Sequence, residues 1–227
     1  MNQGETAMSK NVSLPGLDRL ISICRQHSLP LELSSPFVAA PQQGEKVLEE
    51  PFDPQLAAVY QRVGAAVLGP ISLLEPGPRR MDLISWNQQL RENATAVHFN
   101  ACHVFGQEAG FSLYFGTVPR LAVPSGPQPV VYIVGKDVQQ YAAPIASSVD
   151  RFFDLCSRYL ELMVVDTDYI ESGVPMVTFP WDMLQFISGD EPLMEQVRAG
   201  RFDFLTNGCH DACEWLKELL SPPSIHS

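Results

Sequence analysis

The stretch VHFNACHVFGQEAGFSLYFGTV, residues Val97–Val118, decides the fold class because it predicts a β-hairpin near the middle of the chain. Aromatic and β-branched residues occur in both halves, and glycines lie between them. We predict a first strand over Val97–Phe105, a turn over Gly106–Gly110 and a second strand over Phe111–Val118. Because the turn explains its glycines, we expect the hairpin to be structural.

The same stretch contains residue types that nucleophile or metal chemistry would need. If the first strand is regular, His103 lies on its apolar face, whereas His98 and Cys102 lie on the opposite face. Cys102 and His103 would then point away from each other and could not act as a nucleophile and its base. Glu108, at the tip of the turn, lacks a neighbouring titratable partner and is expected to be an exposed turn acid.

Helical spacing of apolar residues flanks the hairpin on both sides. It predicts helices that begin at Pro15, Pro54 and Met81, the second of them capped by Asp53. A longer helix is predicted in APIASSVDRFFDLCSRYLELMVV, with Ile145 on its apolar face. The sequence therefore predicts helices both before and after the hairpin.

Short apolar runs predict two further strands. One covers Ile71–Leu74, and the other lies in GPQPVVYIVG and forms the third strand of a meander with the hairpin. Residues 34–54 are rich in Pro, Gln and Glu and are predicted to form a loop. Beyond Val165 the pattern indicates short helical pieces.

The motif CHDAC is the nearest approach to a metal site. On a helix, Cys209 and Cys213 would share a face beside His210, and Cys102 or His103 could complete a set of four ligands. The chain has neither H-E-x-x-H nor paired C-x-x-C. Half-buried cysteines are the commoner situation, so we predict no metal and no cofactor.

Composition and charge exclude several classes of function. The net charge of −11 and the absence of a Lys/Arg cluster disfavour direct nucleic-acid binding. There is neither an apolar run of membrane-spanning length nor an apolar signal-peptide core at the N-terminus, which predicts a cytoplasmic protein without membrane contact. The five cysteines, an odd and scattered set, are expected to stay reduced.

Negative charge is concentrated at the C-terminal end. Up to Val165 there are fifteen acidic and twelve basic residues, net −3, whereas from Asp166 onward there are eleven and three, net −8. A solvated acidic surface would explain this, and so would a docking face for a basic partner. The residues predicted for such a face are Asp166, Asp168, Glu171, Trp181, Asp182, Asp190 and Glu191, with Trp181 partly exposed.

The order of segments along the chain resembles that of the SUKH superfamily, proteins related to a yeast cell-wall-synthesis regulator. These segments are, in order, FDPQLAAVYQRVGAAVLGPISLL, a helix, VFGQEAGFSLYFG, PVVYIVG and IASSVDRFFDLCSRYLE. The matching pattern covers residues 54–162 and contains no catalytic signature. RVGAAVLG replaces the asparagine-glycine usual in that family after the proline-initiated helix, and the acidic segment after Val165 lies outside the pattern.

The resemblance implies an α+β domain with an antiparallel sheet, helices packed around it and no enzymatic activity. It also implies an immunity-type protein that binds a bacterial toxin, such as a nuclease, and neutralises it by occlusion. Steering by charge would favour a basic toxin. Two alternatives stay open: a small metal- or thiol-dependent hydrolase, and a non-enzymatic regulatory adaptor. The expected organisation is a flexible N-terminus over 1–14, the domain over 15–165, an acidic helical extension packed on it over 166–220, and a tail over 221–227.

Overall fold

The computed structural model describes residues 12–36, 40–76, 82–93, 97–108, 112–122, 126–136, 139–206 and 208–221. Within these ranges, residues 93, 97, 98, 136, 139 and 140 are described by their backbone alone. The N-terminal eleven residues, the tail after Ser221, the end of the predicted turn at 109–111 and the His98 side chain lie outside this description.

Seven antiparallel strands of the described residues form one sheet. Across the sheet they follow the chain order β1 (Leu31–Leu33), β4 (Ala66–Leu68), β5 (Ile71–Leu73), β6 (His103–Glu108), β7 (Leu113–Thr117), β8 (Val130–Lys136) and β9 (Gln139–Ala146). A separate two-stranded pair consists of β2 (Lys46–Val47) and β3 (Glu50–Pro51). The fold is therefore α+β with an antiparallel sheet, in agreement with the predicted class.

Helices precede, interrupt and follow the sheet. They are α1 (Pro15–Gln26), α2 (Pro54–Arg62), α3 (Leu83–Asn93), α4 (Val97–Ala101), α5 (Val149–Val165), α6 (Thr167–Ser172), α7 (Leu184–Ile187), α8 (Glu191–Arg198), α9 (Asp203–Thr206) and α10 (His210–Leu220). Short 3₁₀ turns occupy Pro119–Leu121 and Trp181–Met183. The predicted helices at Pro15 and Pro54 and the short helical pieces after Val165 are confirmed.

The long helix α5 covers the centre of the sheet. Its N-cap Ser148 accepts a hydrogen bond from the Arg151 N–H at 3.3 Å. Phe152 is fully buried, and its ring lies 5.6 Å from the Phe105 ring and 4.8 Å from the Phe115 ring. Burial of one such side chain contributes roughly 1.5–3 kcal/mol to the free energy of unfolding. These aromatic contacts therefore stabilise the packing of α5 on the sheet.

Helix α1 packs against α5 and also contacts strands β1 and β4. A Cβ atom on Gly16 would lie 2.1 Å from the Asp150 carbonyl oxygen, so only glycine permits this approach. The Asp150 carboxylate accepts hydrogen bonds from the N–H groups of Gly16 and Leu17, at 2.8 and 3.4 Å. Leu14 is buried before the helix begins, so ordered packing starts before residue 15.

The start of helix α2 is held by a buried acid. One oxygen of Asp53 accepts the N–H groups of Gln55 and Leu56, both at 2.8 Å, and the other accepts the Gln128 N–H at 2.6 Å. Burial raises the pKa of Asp53 to about 6. The three N–H donors act in the opposite direction, because they favour the charged carboxylate. The predicted cap at Asp53 is confirmed, and it also ties α2 to the segment before β8.

Two predicted element boundaries are wrong. Residues 97–101 form helix α4 instead of the start of a strand, and β6 begins only at His103 and runs on to Glu108. A short apolar run fits either structure, and here the Phe99 ring packs edge-on at 5.7 Å from Tyr114 above the sheet. Ile145, predicted for the long helix, lies in strand β9 because Ser148 starts that helix three residues later.

The C-terminal helices cover the edge of the sheet. Helices α8, α9 and α10 all pack against β9. The Trp215 indole N–H donates a hydrogen bond of 3.0 Å to the carbonyl oxygen of Pro144 in that strand. An uncovered edge strand would offer its backbone to other chains, so these helices protect β9. None of the helices described here is long and apolar enough to cross a membrane.

Candidate functional site

Residues 165–182, from the end of α5 to the second 3₁₀ turn, are called the 165–182 segment below. Asp166 organises its first part. One carboxylate oxygen accepts the N–H groups of Asp168 and Tyr169, and the other accepts those of Met176 and Val177. Partial burial acts to raise the pKa of Asp166, but these four donors hold it below its usual range. Asp166 therefore has a structural role in folding the segment back on itself.

The same segment exposes large apolar side chains. Val165, Ile170, Val174 and Met176 are 70%, 69%, 67% and 70% exposed. No other large apolar side chain among the described residues is more than half exposed, since Leu220 follows at 48%. Exposed apolar side chains gathered in one segment are typical of an interaction surface.

The charge of this part of the chain has a single sign. No Lys, Arg or His lies between Arg158 and Arg198. Asp168, Glu171 and Asp182 are exposed on the 165–182 segment, which also carries the exposed apolar side chains. The surface therefore combines apolar contact area with a negative potential, which suits a partner that is itself basic.

Asp190 and Glu191 do not extend this surface as the sequence predicts. Asp190 is buried, at 4% exposed, and accepts a hydrogen bond of 2.7 Å from the Ser147 N–H. Its second neighbour is Arg151, whose Nε lies 3.9 Å away. The prediction that Asp190 offers its charge to a partner is wrong, because it holds the turn before α5. Glu191 is exposed but is paired with Arg198 at 2.6 Å.

Trp181 is partly exposed, at 39%, as predicted. Its ring contacts Tyr132 edge-on at 5.7 Å and Trp215 edge-on at 6.4 Å. The indole thus joins the 165–182 segment to the sheet and to α10 while part of its surface faces solvent. Aromatic side chains in such positions often dominate binding energy.

Cys102 and His103 are both buried. Burial raises the pKa of the Cys102 thiol to about 12, so it remains protonated at neutral pH. Burial, assisted by the charge of Arg91, lowers the pKa of His103 to about 4. The Val47 backbone approaches the His103 ring, but neither ring nitrogen has a hydrogen-bond partner among the described residues.

The CHDAC motif forms the beginning of α10. Cys209 is the N-cap residue, His210 is exposed, and the Cys213 thiol lies 3.7 Å from the Thr206 carbonyl oxygen. In the part of the chain that the structure describes, no group of three or more His, Cys, Asp and Glu side chains could hold a metal ion. The hydrogen bonds of Cys209 and Cys213 that the structure describes lie within the C-terminal helices.

Glu108 occupies a different position from the predicted one. It is the last residue of β6, pairs with Ile71 across the sheet and is only partly exposed. Since paired residues share a face, its side chain lies with Ile71 on the face that α5 covers. The prediction of an exposed turn acid is wrong, because β6 continues three residues into the predicted turn.

Glu108 lines a pocket between the sheet and α5. The free space in this pocket is about that of one water molecule. Leu68, Pro70, Ile71 and Phe115 lie on the sheet side, and Cys156, Tyr159, Leu160 and Phe179 complete the wall. Glu108 is the one acidic residue in this lining, and burial raises its pKa above the usual range. A half-buried acid in an apolar pocket is a candidate functional group.

The pocket and the 165–182 segment share a wall. Phe179, in the segment, lies edge-on at 6.1 Å from Phe115 and 5.5 Å from Tyr159. The Tyr159 hydroxyl donates a hydrogen bond of 3.4 Å to the Val177 carbonyl oxygen. A molecule bound at the segment would therefore lie next to the mouth of the pocket.

Comparison with known proteins does not extend this description: no family model, no curated protein and no solved structure matches the chain.

The sequence prediction missed the apolar half of the surface and the pocket acid. The sequence does contain a signal for the exposed apolar residues, because Val174 and Met176 lie in a Gly/Pro-containing stretch without helical or strand periodicity. Apolar residues outside any periodic pattern have no predicted core to enter. For Glu108 no local signal exists, since its burial depends on α5, which is remote in sequence.

Proposed function

We propose that this chain is an immunity-type binding protein, which neutralises a cognate toxin with a basic surface by direct contact through the 165–182 segment. The observation that carries the proposal is the set of four apolar side chains, 67–70% exposed, in a stretch without a basic residue. The SUKH-like order of elements along the sequence agrees with it.

The apolar side chains would supply the binding energy. Exposure of Val165, Ile170, Val174 and Met176 gains nothing for the free protein, whereas their burial contributes roughly 25 cal/mol per Å² of apolar surface. The backbone beneath them is held by Asp166, so little ordering is needed on binding. A preorganised apolar surface is suited to tight association.

The acids would set the rate of encounter and the choice of partner. Asp168, Glu171 and Asp182 give the segment a negative field that attracts a basic protein and repels an acidic one. Screening shortens that field from about 30 Å at 0.01 M salt to about 3 Å at 1 M. Association with the toxin should therefore slow as salt is added, with a smaller effect on dissociation.

The test uses the product of the neighbouring gene, because immunity genes generally lie beside their toxins. Binding of the two purified proteins is followed by biolayer interferometry at about 50 mM and about 500 mM salt. We expect a one-to-one complex, an association rate at least tenfold lower at high salt, and loss of toxin activity in the complex. No complex at either salt, or a complex in which the toxin stays active, would overturn the proposal.

Matched variants assign the surface. Ile170→Ser, Val174→Ser and Met176→Ser combined should weaken the complex at least tenfold, whereas Ile84→Ser with Leu220→Ser removes exposed apolar side chains elsewhere and should not. Equal weakening by both sets would show that the 165–182 segment is not the contact.

A charge-matched pair separates steering from total charge. Asp168→Lys with Glu171→Lys and Glu92→Lys with Glu218→Lys change the net charge equally, and all four residues are exposed. The first pair should slow association, and the second should change it little. If both slow it equally, the overall charge and not this surface attracts the partner.

A further inference from the structure

The 165–182 segment carries an oxidisable side chain among its exposed apolar residues. Met176 is 70% exposed. Three other methionines of the described residues are buried, at 7%, 0% and 1% exposed: Met163, Met183 and Met194. The remaining three methionines of the chain lie outside the described residues. Within the described part of the chain, Met176 is therefore the methionine whose thioether is open to molecules in solution.

Backbone hydrogen bonds hold Met176 in this position. Its N–H donates a hydrogen bond of 3.0 Å to the Asp166 carboxylate, and its carbonyl oxygen accepts one of 3.4 Å from the Thr178 hydroxyl. The oxygen of Asp166 that accepts from Met176 also accepts the Val177 N–H at 3.3 Å. The exposure of the thioether is therefore built into the turn that Asp166 organises.

Exposure of a thioether has a chemical consequence that exposure of Ile170 or Val174 does not have. A lone pair of the sulfur attacks one oxygen of a peroxide, so that an S–O bond forms while the O–O bond breaks. The departing oxygen takes up a proton and leaves as water or an alcohol. The sulfur loses two electrons and the peroxide gains them. The product is a polar sulfoxide, which methionine sulfoxide reductases convert back to the thioether.

A sulfoxide at Met176 would change the apolar part of the surface. A partner that covers Met176 and the exposed Val174 would have to bury the sulfoxide oxygen as well. Burial of a polar oxygen costs free energy unless a donor accompanies it. The sequence has no Lys, Arg or His between Arg158 and Arg198, so the segment brings no cationic side chain of its own to the new oxygen.

We propose that Met176 is a reversible oxidation site, at which a neutral peroxide converts the thioether to the sulfoxide and thereby weakens the contact made by the 165–182 segment. The site itself stands on the exposure of Met176, whereas its effect on a partner rests on the proposed function. The free protein is open to the oxidant, and a bound partner that covers Met176 protects it.

The first experiment uses the full chain without a partner. The protein is treated with tert-butyl hydroperoxide, and peptide mass spectrometry follows the sulfoxide at each methionine. We expect Met176 to be oxidised at least about tenfold faster than Met163, Met183 and Met194, because those three are buried. Similar rates at all four would overturn the proposal. Treatment with methionine sulfoxide reductases should then restore Met176, and a sulfoxide that persists would show that the change is not reversible.

A matched variant separates Met176 from the cysteines, which peroxides also oxidise. Met176→Leu keeps an apolar side chain of similar size and retains all five cysteines. In hydrophobic interaction chromatography, treated wild type should elute earlier than untreated wild type, and the same treatment should shift the variant less. Equal shifts of the two proteins would show that another residue carries the change and would overturn the assignment.

Binding to the product of the neighbouring gene tests the consequence. For wild type and for Met176→Leu, the Kd after treatment is compared with the Kd of the same protein before treatment. The Kd of wild type should rise at least about fivefold and that of the variant less than about twofold. An unchanged wild-type Kd after complete oxidation of Met176 would overturn the proposed weakening. If the untreated protein forms no complex, the proposed function fails, while the oxidation rates and elution shifts still decide whether Met176 is the site.

Discussion

Asp53 and Glu108 are two acids withdrawn from water in the same domain, and they differ in what their carboxylates meet. Asp53 accepts three backbone N–H groups at 2.6–2.8 Å, which hold the start of α2 and the segment before β8 together. Glu108 meets an apolar pocket and no donor among the described residues. Burial raises both pKa values, but only Asp53 is compensated by donors that favour its charged form.

The difference separates two uses of a buried charge. A carboxylate surrounded by N–H groups lowers the free energy of one backbone arrangement, and its removal should damage the fold. A carboxylate without donors raises the free energy of the folded state, and its removal should improve stability. The four predictions that follow test this contrast, from the largest expected effect to the smallest.

Asp53→Ala should destabilise the protein by about 3–4 kcal/mol, because three buried N–H groups lose their acceptor. Asp53→Asn should cost less than half as much, since an amide oxygen can still cap α2. Urea unfolding at neutral pH measures both. A cost below about 1 kcal/mol for the alanine variant would remove the structural half of the contrast.

His103 extends the contrast to a buried base whose ring nitrogens have no hydrogen-bond partner among the described residues. Its folded-state pKa of about 4 lies below the ordinary value of 6.5, so the unfolded chain takes up a proton between these pH values while the folded chain does not. Stability from this residue is present above pH 6.5 and is lost as the pH falls toward 4. The loss is on the order of 3 kcal/mol.

The measurement compares wild type with His103→Leu by urea unfolding from pH 7 to pH 4. The leucine variant should gain relative to wild type by on the order of 3 kcal/mol over this range, because the proton-linked loss is absent. His27→Leu, at an exposed position, serves as the matched control and should follow wild type more closely. A constant difference between wild type and His103→Leu would show that His103 is not a buried neutral base.

Glu108→Gln should stabilise the protein by on the order of 1 kcal/mol at neutral pH. The folded-state pKa of Glu108 is raised by burial, so wild type regains stability as the pH falls and Glu108 becomes protonated. The advantage of the glutamine variant should therefore shrink toward acid pH. Thermal unfolding at several pH values measures it, and destabilisation at pH 7 would mean that Glu108 has a stabilising partner.

Ile170→Ser, Val174→Ser and Met176→Ser should each change stability by less than about 0.5 kcal/mol, since their side chains are 67–70% exposed and lie outside the core. Urea unfolding at neutral pH measures each change. A loss above about 2 kcal/mol would indicate that the segment packs more closely than its exposure implies.

The parts of the fold that follow from local chemistry are predictable from the sequence. Pro15, Pro54 and Asp53 mark helix starts through the fixed φ of proline and the capping carboxylate, and both helices occur there. Strand β9 and helix α4 were not predicted, because short apolar runs fit both structures until neighbours are known.

The candidate sites depend even more on tertiary context. The negative charge of the C-terminal region and the partial exposure of Trp181 can be read from the sequence. The burial of Asp190 depends on a hydrogen bond that its carboxylate accepts from the Ser147 N–H, 43 residues earlier in the chain. The environment of Glu108 likewise requires α5 to lie across β6, which no local pattern encodes.

The order of the strands bears on how the chain is made. Each strand of the seven-stranded sheet pairs with the sheet strand nearest to it in the chain, so the sheet can be extended in step with synthesis as residues leave the ribosome. Helix α1 completes its packing later, because Asp150, which accepts the hydrogen bond from the Gly16 N–H, lies 134 residues further along the chain. Until α5 has emerged, the apolar face of α1 has only its smaller contacts with β1 and β4. We therefore expect this helix to be the part of the nascent chain that most needs a chaperone.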